Sequence, residues 1–167
     1  MRKIEVVKIK KLTEDAIIPT YAKDGDCCAD LYASKDVKWC PLEVNVSEDS
    51  EKTEHKKVGY KAIVPTGIAA ALPFGYEWQV RPRSGNAAKY NITVLNTPGT
   101  CDEGYRGEVM VILICIGEPM GPFANGITKG MRVAQVKLSE VTVAKFEEVA
   151  TLPETNRGEG GLGSTGV

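Results

Sequence analysis

The sequence predicts an all-β protein with one short helix. Runs rich in valine, isoleucine and tyrosine alternate with polar residues and are separated by glycine or proline, a pattern typical of short strands joined by turns. No window carries the 3.6-residue apolar period of a long helix. We therefore expect a barrel or sandwich of short strands, with strand-like runs at IEVVKIKKL, YKAIVPTGIAAAL, YEWQVRPRS, ITVLNTP, GEVMVILICIG, RVAQVKLSEVTV and AKFEEVA.

The predicted helix is the run SGNAAKY at 84–90, where a serine able to cap a helix precedes good helix formers. Around its start, Arg83, Ser84 and Gly85 supply a charge, a hydroxyl and a backbone that a ligand can approach closely. This combination is typical of an anion site at a helix N-terminus. A capped helix without a ligand explains the same residues, and the local sequence leaves both interpretations open.

Length and composition indicate one ordinary globular domain. The chain has 167 residues, 43% of them hydrophobic and 26% charged, with a formal net charge of −1. That balance predicts no broad electrostatic surface for nucleic acid or membrane, so we expect no stable partner of either kind. No apolar run approaches the roughly 20 residues of a membrane span, and the start, MRKIEVVKIKKL, lacks the apolar stretch of a signal peptide. We expect a cytoplasmic protein.

The cysteines and the single histidine exclude several kinds of site. The number of cysteines is odd, no two form a CxxC pair, and His55 sits in a charged stretch that we interpret as a solvated loop. A zinc site needs spaced thiolates with further cysteine or histidine, and a Ser-His-Asp triad needs a histidine placed by the fold. We therefore expect five reduced, mostly packed thiols, at Cys27, Cys28, Cys40, Cys101 and Cys115.

Two segments differ from the β pattern. The stretch 35–59 has a second half dense in mixed charge, and we interpret it as a long loop or an extended hairpin on the surface, with partner binding as the alternative. The end of the chain, RGEGGLGSTGV, contains five glycines and offers almost nothing to pack. We divide the chain into a β domain at 1–156 and a glycine-rich tail at 157–167.

Three further polar stretches interrupt the apolar pattern. In LNTPGTCDEGYRGE, turn residues predict a hairpin, with Asp102 placed to act as a general base and Tyr105 placed to stack on a ring. Taken alone, this stretch favours the alternative, in which Asp102 forms an Asx-turn and Tyr105 is a core residue. CCADLYA puts Asp30 at a strand start, where it can reach a metal through water or merely shape a turn. RVAQ adds a cation and an amide within a strand.

In order and wording, five stretches resemble the five sequence motifs of the trimeric dUTP diphosphatase (dUTPase) family: CCADLYA, PRSGNA, NTPGTCDEGYRGE, RVAQ and RGEGGLGSTG. The resemblance runs from about residue 11 to residue 167 and is interrupted by 35–59. It implies a distorted β-barrel or jelly roll, a homotrimer, and Mg²⁺-dependent hydrolysis of dUTP to dUMP and pyrophosphate. That reaction keeps uracil out of DNA and supplies dUMP for dTMP synthesis.

The resemblance also implies that each active site is shared by three subunits. One subunit supplies the first, second and fourth motifs, another supplies the third, and the last supplies its swapped C-terminal tail as a lid. Asp102 matches the aspartate that orients the water attacking the α-phosphorus, and Tyr105 matches the tyrosine beneath the deoxyribose, which excludes a 2′-hydroxyl. Uracil is read by the hairpin residues Asn96, Thr100, Cys101, Asp102 and Met110.

The remaining matches concern the phosphates and the metal. Arg83, Ser84 and Gly85 match the phosphate-binding motif, Gln135 matches an amide near the phosphates, and Arg132 has a supporting place. Asp30 matches an aspartate that reaches Mg²⁺ through water while the triphosphate holds the ion, as suits a cation that keeps several waters. The tail residues that match are Arg157 on the γ-phosphate, Leu162 and Gly163 at the base, and the hydroxyls of Ser164 and Thr165.

Four positions depart from the family pattern. Leu162 stands where a phenylalanine usually covers the uracil, so the base keeps apolar cover but loses aromatic stacking, worth ~1–3 kcal/mol in single-strand binders. Cys28 and Asn86 replace a glycine and a leucine, and we expect both to alter packing beside the site, whereas Cys101 is a nearly isosteric replacement of an aliphatic residue. None of the three changes a proposed charge. Two alternatives stay open: a dCTP deaminase on the same fold, and a regulatory dUTPase that binds a protein partner through 35–59.

Overall fold

The computed structural model describes residues 3–49 and 52–161, with side chains for 3–44 and 56–161. The described part is almost entirely β, and its helical elements are α1 and a single 3-10 turn at Gly121–Phe123, both too short to cross a membrane. In chain order the elements are β1 Lys8–Lys11, β2 Ala29–Tyr32, β3 Cys40–Asp49, β4 Lys52–Ala71, β5 Tyr76–Arg81, α1 Ser84–Tyr90, β6 Ile92–Val94, β7 Gly99–Cys101, β8 Glu108–Ile116 and β9 Arg132–Glu140.

The strands form two antiparallel sheets that pack face to face. The first has the order β1-β4-β8-β6, and β3 lies on the same edge of β4 as β1 but further toward its start. The second has the order β2-β9-β5-β7. The described sheets do not join into one closed barrel, which is the arrangement of a distorted jelly roll. The prediction of an all-β fold with one short helix is therefore confirmed.

The core lies between the sheets and depends on strict alternation. In β8 the side chains of Val109, Val111, Leu113 and Cys115 are all at most 1% exposed. They belong to one apolar cluster with residues of β2, β5 and β9 from the other sheet. Burying each aliphatic side chain of this size contributes about 1.5–3 kcal/mol, so the face-to-face contact is the main source of stability.

The outer face of β8 is apolar as well. Met110 and Ile116 are 41% and 63% exposed, and the outward Ile112 opposes Ile63 of β4, which is 56% exposed. A strand with apolar residues on both faces is typical of one that is covered on both sides. Within the described chain this outer face lies open.

The charged excursion is a β-hairpin. The strands β3 and β4 pair from Cys40 opposite Lys61 to Asp49 opposite Lys52, so of the two interpretations of this segment the structure has the extended hairpin. His55 lies in β4 and not in a loop. At the base of the hairpin, Lys57 Nζ contacts Glu118 Oε1 at 2.5 Å, and Tyr60 Oη donates to Glu118 Oε2 at 2.7 Å.

The first residues of the stretch 35–59 do not belong to the hairpin. The backbone of Val37 pairs with Ile127, and Trp39 Nε1 donates to the Phe123 carbonyl at 2.9 Å. These contacts pack the segment against the core. The charged surface part of this stretch begins only within β3, where the hairpin with β4 extends away from the core.

One strand prediction is wrong. The run AKFEEVA at 144–150 forms no strand, because the described chain offers it no pairing partner and its Phe146 is 94% exposed. The hairpin predicted around LNTPGTCDEGYRGE forms, but the connection between its two strands contains a third strand, β7. β6 pairs with β8 in the first sheet, whereas β7, which lies between them in the chain, pairs with β5 in the second sheet.

Candidate functional site

The register of the second sheet brings three motifs to one place. Asp30 on β2 is the backbone partner of Gln135 on β9, and Gln135 in turn is the partner of Arg81 at the end of β5. β5 stops there because the next residue, Pro82, has no N–H to continue the ladder. The chain then turns directly into α1, so the residues of PRSGNA lie beside those of CCADLYA and RVAQ.

These residues enclose a cleft of about 370 Å³. Five of the predicted phosphate and metal residues line its wall: Asp30, Arg83, Ser84, Gly85 and Gln135. Other wall residues come from the segment before β2, namely Ala22, Asp26, Cys27 and Cys28. Asp26 is a second carboxylate in this cleft, and the sequence analysis did not predict it. It directly precedes the first motif, CCADLYA, in the run DGDCCAD.

A partly buried ion pair forms the floor of the cleft. The Asp30 side chain is 11% exposed, and its carboxylate accepts from Arg83 Nε at 2.7 Å and from Arg83 Nη2 at 3.4 Å. Arg132 Nη1 lies 3.5 Å from the same carboxylate, which agrees with the supporting place expected for Arg132. Such pairing offsets the cost of removing a carboxylate from water, and it fixes the direction of the Arg83 guanidinium.

Two amides hold the neighbouring elements. Gln135 Nε2 donates to the Pro82 carbonyl at 2.8 Å, which ties β9 to the turn before α1. Asn86, which is 6% exposed, donates from Nδ2 to the Arg132 carbonyl at 3.2 Å. Asn86 therefore joins the helix to β9 by a hydrogen bond that a leucine at this position cannot make.

The helix α1 begins one residue earlier than a serine cap requires. Its N-cap is Arg83, whose carbonyl accepts from the N–H groups of Asn86 and Ala87, each at 3.0 Å. Ser84 is the first helical residue, so the prediction that its side chain caps the helix is wrong. The Ser84 hydroxyl instead lines the cleft. The helix ends at Asn91, which adopts the left-handed conformation (φ 55°) common at this position.

The connection between β6 and β8 presents the third motif. Gly99 lies opposite Val80, and a Cβ there would approach Asn96 Nδ2 to 3.2 Å, so this glycine permits close packing of the Asn96 amide. Asn96 and Thr100 are both exposed. Burial raises the pKa of the Cys101 thiol, and the Asp102 charge adds to that effect, so the thiol beside Asp102 is protonated at neutral pH.

Tyr105 is held in place by its own loop. Its hydroxyl donates to the Glu108 carbonyl at 3.0 Å, and its ring lies over Gly107, where a Cβ would come within 2.6 Å of Tyr105 Cζ. The ring remains 46% exposed, so it is not the core tyrosine of the alternative interpretation. Gly107 is a residue that the sequence analysis did not single out, although it stands within the motif.

Within one chain, Asp102 does not join the cleft. Cys101 lies opposite Trp78, so Asp102 follows toward the start of β5, where it lines a pocket with Tyr76 and Glu77. Arg83 follows the other end of the same strand. At about 3.3 Å per residue, the six residues of β5 separate the two groups by roughly 15–20 Å.

The described part of the tail, residues 157–161, lines neither the cleft nor the Asp102 pocket. Nearly every residue from 141 to 161 is exposed, and Arg157 Nε donates to the Gly160 carbonyl of its own turn at 2.9 Å. Leu162, Gly163, Ser164 and Thr165 lie outside the described residues.

In the described part of the chain, no three His, Cys, Asp or Glu side chains gather into a group that can hold a metal ion. A metal held mainly by substrate oxygens is compatible with that donor set, since Asp26 and Asp30 both reach the cleft.

The Asp30–Arg83 pair leads to a prediction about stability. Asp30→Asn keeps the shape of the side chain but leaves two guanidinium groups without their counter-charge, so we expect the free energy of unfolding to fall by about 1–3 kcal/mol. Asp24→Asn, at an exposed position in the turn before β2, is the control and should change the free energy of unfolding by less than about 0.5 kcal/mol. Urea unfolding followed by circular dichroism at one protein concentration measures both, and equal values for the two variants would contradict the prediction.

Comparison with known proteins identifies the family. The family model described as dUTPase matches residues 14–166. A deoxyuridine 5′-triphosphate nucleotidohydrolase of Crocosphaera subtropica is 46% identical over 161 residues, which cover 96% of this chain and 99% of that protein. A protein of the same name from Rickettsia akari is 44% identical over 165 residues, covering 98% and 99% of the two chains.

Solved structures share the fold. The dUTPase of Staphylococcus bacteriophage 80alpha, as a mutant with dUpNHpp, superposes with a TM-score of 0.74 at 19% identity and covers 98% of this chain and 100% of its own. A mutant dUTPase from phage phi11 of S. aureus, described for the coordination of a structural Mg(II) ion, gives a TM-score of 0.63 at 18% identity, covering 88% and 98%. With the sequence matches spanning nearly the whole chain, the protein belongs to the dUTPase family.

Proposed function

We propose that this chain hydrolyses dUTP to dUMP and pyrophosphate. The observation that supports the proposal is the cleft, where residues of three separate motifs of this dUTPase-family chain come together. These residues are Asp30, Arg83, Ser84, Gly85 and Gln135. A guanidinium, a hydroxyl, an amide and a glycine backbone are the groups that recognise a polyphosphate. The relatives named for this reaction align over almost the entire chain.

In this proposal the cleft binds the triphosphate. Arg83 is directed by Asp30 and donates to phosphate oxygens, while Ser84, the Gly85 backbone and Gln135 supply further donors. Mg²⁺, bound to the triphosphate, would be held from the protein side by Asp30, with Asp26 nearby, and would supply charge neutralisation. Arg157 and the tail hydroxyls of Ser164 and Thr165 close over the γ-phosphate, and Leu162 with Gly163 covers the base.

The third motif supplies the water and the selectivity. Asp102 is exposed, and its carboxylate orients the water that attacks the α-phosphorus. The Tyr105 ring packs beneath the deoxyribose and leaves no room for a 2′-hydroxyl. Uracil pairs with Asn96 and the backbone from Thr100 to Asp102, beside Met110. A wrong base leaves these polar groups unpaired, which costs about 1–3 kcal/mol for each group.

The proposed active site is shared within a homotrimer. The distance along β5 keeps Asp102 away from Arg83 of its own chain, so a complete site requires Asp102 from another copy. The open apolar face of β8 supplies a surface for such a partner. The segment after β9 also carries exposed apolar residues, with Val143 88%, Phe146 94% and Leu152 82% exposed, as expected of an arm that packs on a neighbour. We propose a cytoplasmic enzyme.

The first test compares substrates. We expect pyrophosphate release with Mg²⁺ from dUTP, and little from dCTP, dTTP or UTP, when the four are offered side by side. Asp102→Asn keeps the side-chain shape but weakens the orientation of the water, so kcat should fall at least about a hundredfold with KM little changed. No release from dUTP by a folded, oligomeric wild-type protein would contradict the proposed function.

Gly107 provides a test of the Tyr105 ring. In Gly107→Ala the new methyl group overlaps the ring and must displace it, so we expect kcat/KM for dUTP to fall about tenfold and discrimination against UTP to narrow. The control is Gly104→Ala, because a Cβ at Gly104 meets no atom within 4 Å, and its kcat/KM should stay within about twofold of wild type. An unchanged preference for dUTP over UTP in Gly107→Ala would be the contrary result.

Sharing of the site is tested with mixed oligomers. Homotrimers of Asp102→Asn and of Arg83→Gln should each be nearly inactive, because every site lacks one group. After unfolding and refolding the two together, about a quarter of the sites in random trimers combine Arg83 from one chain with Asp102 from another, and activity should recover to that extent. A site confined to one chain predicts no recovery. Mixing the two variants without unfolding is the control.

A further inference from the structure

The loop that carries Asp102 is fastened on two sides. On the N-terminal side, β7 pairs Cys101 with Trp78. On the C-terminal side, the Tyr105 N–H donates to the Asp102 carbonyl at 3.1 Å and closes a four-residue turn. Among the described residues, the Asp102 carboxylate itself has no hydrogen bond or ion pair, so its position depends on the backbone that carries it.

Glu103 attaches this turn to the body of the protein. Its Oε2 accepts the N–H of Gly75 at 2.5 Å, in a partly buried contact between residues 28 positions apart. Arg106 Nη1 donates to the Glu103 and Tyr105 carbonyls at 2.5 Å and 2.9 Å, which keeps the turn together as one unit. The Glu103 carboxylate is therefore the side-chain link between the turn and the second sheet.

Gly75 also holds the segment that leads to the tail. It has φ +77° in the turn from Pro73 to Tyr76, a conformation that favours glycine at this position. In that turn its N–H faces Glu103, while its carbonyl accepts the N–H of Val141 at 2.9 Å. Val141 is the first residue after β9, where the exposed C-terminal segment begins.

We infer that Glu103 is a positioning residue for Asp102, and that through Gly75 it couples the Asp102 turn to the root of the C-terminal segment. The inference rests on the proposed function, in which Asp102 orients the attacking water. A hydrogen bond between a carboxylate and a backbone N–H is short and directional. The bond from Gly75 to Glu103 therefore holds the turn in one position, although the turn itself is largely exposed. Small displacements of a water-orienting group lower kcat more than they alter substrate binding.

The test compares Glu103→Ala, which removes the acceptor, with Glu103→Gln, which keeps an acceptor oxygen in the same shape. We expect Glu103→Ala to lower kcat for dUTP about tenfold with KM within about twofold, and Glu103→Gln to retain most of the wild-type kcat. Amide hydrogen exchange should become faster at both Gly75 and Val141 in the alanine variant. Glu14→Ala, at an exposed position in the turn after β1, is the matched control.

The outcomes separate the inference from its alternatives. A wild-type kcat in Glu103→Ala overturns the positioning role, and so does an equal loss of kcat in both Glu103 variants. A lower thermal midpoint or a smaller oligomer that accounts for the lost rate also overturns the positioning role. If the wild-type chain fails to hydrolyse dUTP, the proposed function fails first. The coupling of the Asp102 turn to the C-terminal segment is then tested by amide hydrogen exchange alone. Unchanged exchange rates at Gly75 and Val141 in Glu103→Ala overturn that coupling.

Discussion

The antiparallel register of the second sheet is the constraint on which the site depends. Because Asp30, Gln135 and Arg81 are consecutive partners across β2, β9 and β5, residues from three distant parts of the chain meet at one end of the sheet. A slip of one residue would turn each of these side chains to the opposite face. The core between the sheets prevents that slip, since the same register buries Leu31, Ala134 and Val136 against the first sheet.

The same sheet separates the cleft from Asp102. β5 ends at Arg81 and leads into Pro82 and Arg83 on one side, and β7 delivers Asp102 toward its other end. One chain therefore brings Asp30, Arg83 and Gln135 together at one end of this sheet and leaves Asp102 at the other. Under the proposed function, a complete site takes its Asp102 from another copy of the chain. The open apolar face of β8 is the corresponding feature of the first sheet.

Local interactions set the orientation of each group within this framework. Asp30 directs Arg83, Asn86 joins α1 to β9, Gly107 makes room for Tyr105, and Glu103 holds the Asp102 turn. Asn86 and Cys101 differ from the residue types usual in the family without changing a proposed charge. The Cys101 thiol beside Asp102 is kept protonated by burial, and the Asn86 side chain under the helix donates a hydrogen bond to the Arg132 carbonyl.

By itself the sequence determined the β class, the span of α1, and the five stretches that match the dUTPase motifs, because alternation, helix propensity and motif wording are local properties. It did not determine the pairing of β7 with β5, the end of β9 at Glu140 or the hairpin at 40–61, since pairing partners are chosen by distant strands. The AKFEEVA run has a strand's composition but no strand beside it. Neither the contact between Glu103 and Gly75 nor the place of Asp26 in the same cleft as Arg83 could be read from the sequence, because folding brings together residues that are far apart in the chain.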